Sequence, residues 1–173
     1  MARIPYIDSE AMPHSLFNSF KDGPPPTRPN LYRALPNHPA SAELLVETVK
    51  AISSRGKLDV RLRELVILRV AAHCNSAYEK HHHKRIGAQA GLTDEDMAAA
   101  LREGGAGHLS AFEQAALAFT DAVVKDVKAP AALFLQMQSA LGNELTVELV
   151  HLIGLYMMVA RFLENFEVDI EAA

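Results

Sequence analysis

Apolar positions recur along most of this chain with helical spacing. Ser41–Ser53 places Leu44, Leu45, Val49 and Ile52 on one face. After Asp59, a natural N-cap, VRLRELVILRVAAH runs to about His73 and is apolar nearly all round, which predicts a central helix. A further helix is expected over about Ser76–Ala90, ending at Gly91 as a C′ residue. Thr93-Asp94-Glu95-Asp96 opens a short helix to about Glu103, stopped by Gly104-Gly105. Ser110 with Glu113 makes a capping box for Phe112–Lys125. Pro130 starts another helix through Leu141, stopped by Gly142-Asn143, and a long apolar helix follows from about Glu144. No alternating strand pattern and no internal repeat is seen. The prediction is an all-α fold of about six or seven helices, one domain over residues 41–173.

The first 40 residues read differently, as an extended N-terminal arm. Pro24-Pro25-Pro26 and Pro29 favour polyproline-like backbone, while Pro36 and Pro39 interrupt helix. Ile4, Leu16, Phe17, Phe20, Leu31, Tyr32 and Leu35 keep the arm apolar enough to pack on something, a neighbouring subunit being one candidate.

Composition narrows the class. A chain of 173 residues, 49% hydrophobic and 22% charged, can bury one real core. Seventeen basic side chains against 21 acidic give a net charge of −4, which argues against a nucleic-acid partner. The single cysteine, Cys74, cannot form an internal disulfide, and MARIPYIDSEAMP has no secretory apolar run, so the cytoplasm is expected. Leu145–Leu163 is apolar enough to suggest a membrane span. It carries Glu148, His151 and Arg161, however, so a helix buried in the protein or its oligomer is the better reading.

Candidate chemistry concentrates in two neighbouring helices. Glu64 has Val60, Arg61, Ile67 and Leu68 as its nearest neighbours on the helix face, so a carboxylate sits in an apolar stripe. It either pairs with Arg61 or another arginine, or holds a histidine in one orientation. In CNSAYEKHHHKRIG the inward face centres near Glu79, Ile86 and Ala90. His83 lies about 40° and His82 about 60° from that centre, on opposite sides; His81, Lys80 and Lys84 point outward. Glu79 has three readings: a capping box with Ser76, an acid–base pair with His83, or one ligand of a metal shared with Glu64, His83 and either His82 or His151. No known zinc spacing is present, so no metal is expected. His73 and His151 read as core or interface histidines.

The block RLRELVILRVAAHCNSAYEKHHHKRIGAQAGLTDED, Arg61–Asp96, resembles the signature of the carboxymuconolactone decarboxylase / alkyl hydroperoxidase D (AhpD-like) superfamily. PNLYRALPNHPA upstream, and FEQAALAFTDAVVKD and ELVHLIGLYMMVARFLENFEV downstream, extend the likeness to about 140 of the 173 residues. The resemblance implies a helical fold that assembles as a homo-oligomer, trimer or hexamer, with its site at or near a subunit interface. It also implies a proton-relaying Glu and His, which fall on Glu64 and His83. The peroxidase branch places two cysteines where this chain has Ser76 and Glu79, so its dithiol cycle is absent. Lys80 stands where many relatives carry tryptophan. The resemblance therefore implies a cofactor-free lyase-type enzyme on a small carboxylated or lactone-like substrate. His83 would transfer the proton, Glu64 would orient it, and Tyr78, Ser76 or Glu79 would meet the substrate. Arg33, Arg69 and Arg161 are candidates for a substrate carboxylate. The alternatives are peroxide reduction on Cys74, whose thiol would lie near a helix N-terminus, and an oligomeric binding protein without turnover.

Overall fold

The computed structural model describes residues 1–7, 29–102 and 108–171. Among them are seven α-helices and no strand: α1 (Asn30–Ala34), α2 (Pro39–Ser54), α3 (Val60–His73), α4 (Ala77–Gln89), α5 (Asp94–Leu101), α6 (Ala111–Asp126) and α7 (Ala131–Asn165). A 3-10 turn, Leu35–Asn37, joins α1 to α2. The helix ends follow their caps. Asp59 accepts from the Leu62 N–H at 3.1 Å, and Thr93 with Asp96 and Ser110 with Glu113 form reciprocal capping boxes. Gly91 takes φ 85°, the left-handed conformation a C′ residue needs. The expected stop at Gly142 is present as a break, φ 73° and ψ 175°, beyond which the helix resumes within α7.

The N-terminal segment departs from the expectation of a wholly extended arm. Asn30–Ala34 is helical, with Leu31, Ala34 and Leu35 buried, and Pro39 is the first residue of α2 rather than an interruption. Proline is favoured there because the first turn of a helix does not use its N–H. The proline run at 24–26, Leu16, Phe17, Phe20 and the Gly104-Gly105 stop lie outside the described residues.

The chain divides into two compact units. Met1–Arg55 with Phe162–Ala173 forms the terminal unit. There the Arg3 N–H bonds to the Phe166 carbonyl at 2.8 Å, the Tyr6 hydroxyl donates to Asp169 at 3.0 Å, and the Asn30 amide donates to the Asp169 carbonyl at 2.9 Å.

Gly56–Arg161 forms the central unit and carries the candidate chemistry. Helix α3 is its axis, with Leu62, Leu65, Val66, Ile67, Leu68, Val70 and Ala71 all buried. Leu65 and Leu68 share one apolar cluster with Leu92, Met97, Ala100, Leu109 and Leu117, from α5, α6 and the turns before them. By length and composition alone, α7 is long and apolar enough to cross a bilayer. Its Leu149, Leu152 and Ile153 are nevertheless fully buried, and Glu148 accepts from the backbone N–H groups of Lys57 and Leu58 at 2.9 and 3.1 Å. That is the work of a core helix.

Arg61 is the polar hub of the central unit. It reaches Glu113 on α6 at 2.7 Å, Asp96 on α5 at 3.1 Å and the Gly91 carbonyl at 2.9 Å. Burial pushes the Asp96 carboxyl up, but Arg61 and the Thr93 cap together hold it below its ordinary value. Replacing Arg61 with alanine strands a buried carboxylate. We expect Arg61→Ala to destabilise the protein by about 2–4 kcal/mol in urea unfolding at pH 7, with part of the loss recovered at a pH that protonates Asp96.

Candidate functional site

The turn between α3 and α4 sets the site. Asn75 takes φ 52°, a left-handed conformation that asparagine tolerates, and it turns the chain at the end of α3. The Ser76 N–H is bound by the Ala71 carbonyl at 2.9 Å, and the Ser76 hydroxyl accepts from the Glu79 N–H at 3.5 Å. Only half of the expected capping box therefore forms. With the Ser76 N–H already satisfied, the Glu79 carboxylate has nothing to reach back to and turns along the helix toward His83.

Two helices deliver three ionisable side chains to one place. Glu64 from α3 and Glu79 and His83 from α4 are all buried, His83 being 8% exposed. His83 Nδ1 bonds to Glu64 Oε2 at 2.6 Å. On the other side of the ring, His83 Nε2 lies 3.3 Å from Glu79 Oε2. That contact is an ion pair longer than the one to Glu64, and Glu79 Oε2 makes no close hydrogen bond. Burial alone would pull the imidazole pKa down. The bond to Glu64, and then Glu79, outweigh it and push His83 up to about 9. The imidazole is thus an imidazolium at neutral pH, clamped between two carboxylates.

The second oxygen of Glu64, Oε1, faces Arg63 Nε at 3.4 Å. Glu64 thereby has both partners weighed from the sequence, a histidine and an arginine, but the arginine is Arg63 and not Arg61. Tyr156 of α7 sets its ring edge-to-face against His83, with centroids 5.1 Å apart. Neither residue was legible beforehand. Arg63 is adjacent to Glu64 in sequence and about 100° away on the wheel, where a search by helical neighbours does not look. Tyr156 sits in an apolar run with no spacing that ties it to α4.

The remaining candidates fall elsewhere or serve the scaffold. His81 is exposed; His82 is half-buried and stacks on Tyr78, their ring centroids 4.4 Å apart. The inward face of α4 is Tyr78, Glu79, His83 and Gly87, so it is turned away from Ile86, which is half-buried. Lys80 is half-buried rather than outward and bonds to Asn75 at 3.2 Å. Ser76 is fully buried as the cap. Cys74 is half-buried, at the C-cap of α3 and two residues before Ser76, the N-cap of α4. His73 pairs with Asp121 at 2.6 Å, and the buried Arg69 approaches the same carboxylate at 3.4 Å. His151 and Arg161 are exposed, and Arg33 belongs to the terminal unit, where it bonds to Asn30 at 2.8 Å.

A shared metal does not suit this donor set. Glu64 and Glu79 lie against opposite nitrogens of one imidazole, so the three side chains cannot converge on one ion. Among the described residues no group of three or more histidine, cysteine or carboxylate side chains is placed to hold one.

Residues 39–122 match the family model described as the Carboxymuconolactone decarboxylase family. Three solved structures share the fold. An alkylhydroperoxidase AhpD core protein from Ralstonia eutropha, described as peroxidase-related, superposes with a TM-score of 0.83 at 16% identity, over 98% of this chain and 92% of that one. A putative antioxidant defence protein AhpD from Agrobacterium tumefaciens gives 0.73 at 20% identity, over 79% and 94%. A peroxidase-related protein from a Silicibacter species gives 0.74 at 14% identity, over 89% and 81%. No curated protein matches the chain.

The clamp has a measurable signature. Because folding raises the His83 pKa from about 6.5 to about 9, its contribution is complete below pH 6.5 and is lost as pH rises through 9. It amounts to about 3 kcal/mol. The urea midpoint of the wild type should therefore fall between pH 7 and pH 10, and much less so in His83→Gln. Nitrogen-15 NMR of the imidazole should show both ring nitrogens protonated at pH 7.

Proposed function

We propose that this chain is a cofactor-free acid–base enzyme of lyase type, acting on a small carboxylated or lactone-like molecule. The observation that carries the reading is the imidazolium of His83 held between Glu64 and Glu79, in a site whose two thiol positions are Ser76 and Glu79. When CO2 leaves a carboxylated lactone, the bonding electrons remain as a dienolate that needs a proton. His83 Nδ1–H is fixed by Glu64, so Nε2–H is the proton free to move. The longer Glu79 contact, at 3.3 Å, keeps that N–H charged while holding it less tightly than Glu64 holds Nδ1–H. After transfer, Glu64 stabilises the recharging of the ring, and a proton from water restores it. Ser76 acts through position, fixing the first turn of α4 and with it Glu79 and His83; Tyr78 packs beside it. The reading includes a homo-oligomer, trimer or hexamer, in the cytoplasm.

Peroxide reduction is the second reading, favoured by the descriptions of the three structural neighbours. Here it would rest on Cys74 alone, without a second sulfur to complete a disulfide cycle within the chain.

One comparison separates the two. Wild type and Cys74→Ser are assayed for reduction of a small organic hydroperoxide with a dithiol reductant, then for turnover of carboxylated lactones. We expect no cysteine-dependent peroxide turnover. Lyase activity should survive Cys74→Ser within about twofold and drop about 10²–10⁴-fold in His83→Ala and Glu64→Gln. It should also fall as pH rises through 9, where His83 loses its proton. Peroxide turnover that vanishes in a folded Cys74→Ser would replace the lyase reading with one-cysteine redox chemistry.

A further inference from the structure

Helix α7 turns an apolar stripe into the central unit. From Leu149 it runs through Leu152, Ile153, Val159 and Ala160, all buried, at the spacing of one helix face. Tyr156 stands inside that stripe, one turn from Leu152 and Ile153 on one side and from Val159 and Ala160 on the other, yet it is only half-buried. An aliphatic side chain would complete the stripe. The aromatic ring at that place meets His83 instead, with centroids 5.1 Å apart and planes at 86°. Such an edge-to-face pair has a preferred geometry, which an aliphatic contact lacks.

The imidazole is thereby met from three helices: by Glu64, with Arg63 behind it, from α3, by Glu79 from α4 and by Tyr156 from α7. These contacts respond differently to the charge on the ring. While the ring is an imidazolium, both carboxylates attract it. Once Nε2 has given up its proton, its lone pair faces Glu79 Oε2 at 3.3 Å, and that contact turns from attraction to repulsion. The bond from Nδ1–H to Glu64 at 2.6 Å survives, but a single hydrogen bond lets the ring pivot about it. The contact with Tyr156 keeps its sign, because an aromatic pair needs no net charge. Building on the proton transfer proposed above, we infer that Tyr156 is a positioning residue for His83: its ring holds the imidazole plane while the Nε2 proton is lost, so that the same nitrogen is reprotonated in place. The proton passes from Nε2 to the dienolate and water supplies the next one; Tyr156 itself gives and takes none.

The test reads His83 directly and needs no substrate. Nitrogen-15 NMR of the full chain follows the ring from about pH 7 to about pH 10 in wild type, Tyr156→Phe and Tyr156→Leu, with folding checked by circular dichroism. Wild type and Tyr156→Phe should both titrate at about 9, each with one neutral form, protonated on Nδ1. Tyr156→Leu fills the space without fixing a plane. The neutral ring then swings clear of Glu79 and is favoured over the imidazolium, so the titration should fall by about 0.5–1 in pH. Its neutral form should give mixed or exchange-broadened ring nitrogens. A space-filling role alone has the opposite sign: looser packing relieves the burial that opposes the charged ring and moves the titration up. A leucine variant that titrates at or above the wild-type value, or keeps one sharp neutral form, overturns the assignment. So does a phenylalanine variant that behaves like leucine. If Tyr156→Leu does not fold, Tyr156→Met makes the same comparison. Turnover of carboxylated lactones is read separately, where Tyr156→Leu should lower kcat about tenfold at unchanged KM. A folded wild type without that turnover, but with the expected NMR pattern, sinks the lyase reading and upholds the role of Tyr156 in fixing the ring.

Discussion

The buried bond between Glu64 and His83 is the constraint around which the central unit is arranged. An unpaired carboxylate on the inner face of α3 would be expensive, and an unpaired imidazolium on α4 equally so. Each cancels the other only if the two helices meet at one register. That register is supplied from outside the pair. Asn75 turns the chain, Ser76 caps α4, and the apolar face of α3 packs onto α5 and α6. The hub at Arg61 fastens α3 to α5, α6 and the Gly91 turn, so the helix that carries Glu64 is held at its start as well as its end. Stability and site geometry depend on the same few contacts.

Much of this was legible in the sequence, and the boundary of legibility has a physical cause. Helix ends were readable because caps are local: Asp59, Ser76, Thr93 and Ser110 act on backbone within three residues of themselves. The placement of His83 inward and His81 outward was readable because it depends on helical period alone. What resisted was everything that depends on a second element. The choice of Arg63 over Arg61 as the cation beside Glu64 is decided by Asp96 and Glu113, which claim Arg61 from two other helices. Tyr156 reaches His83 from α7, far away in sequence. The helix at Asn30–Ala34 was hidden by the prolines around it, which signal extended chain and helix start with the same letter.

Glu79 sets the charge on the site's histidine together with Glu64. A carboxylate there can exchange only protons and charge. Its effect in this chain is on the other nitrogen of the same imidazole, where it adds to Glu64 and holds the ring protonated. A ring so held is a poor general base at neutral pH and a ready general acid. Glu79 therefore biases the histidine toward its protonated form from within the same helix.

That bias carries a structural cost, which helps to explain why the clamp is built as it is. Glu79 Oε2 is buried and makes no hydrogen bond, an arrangement normally selected against because a half-satisfied polar group is worse than an apolar one. Reaching back to Ser76 would have satisfied it, but the Ala71 carbonyl already occupies that N–H. A closer contact with His83 Nε2 would also have satisfied it. As it stands, the 3.3 Å ion pair adds to the charge held on the ring, and the short bond at 2.6 Å is its anchor.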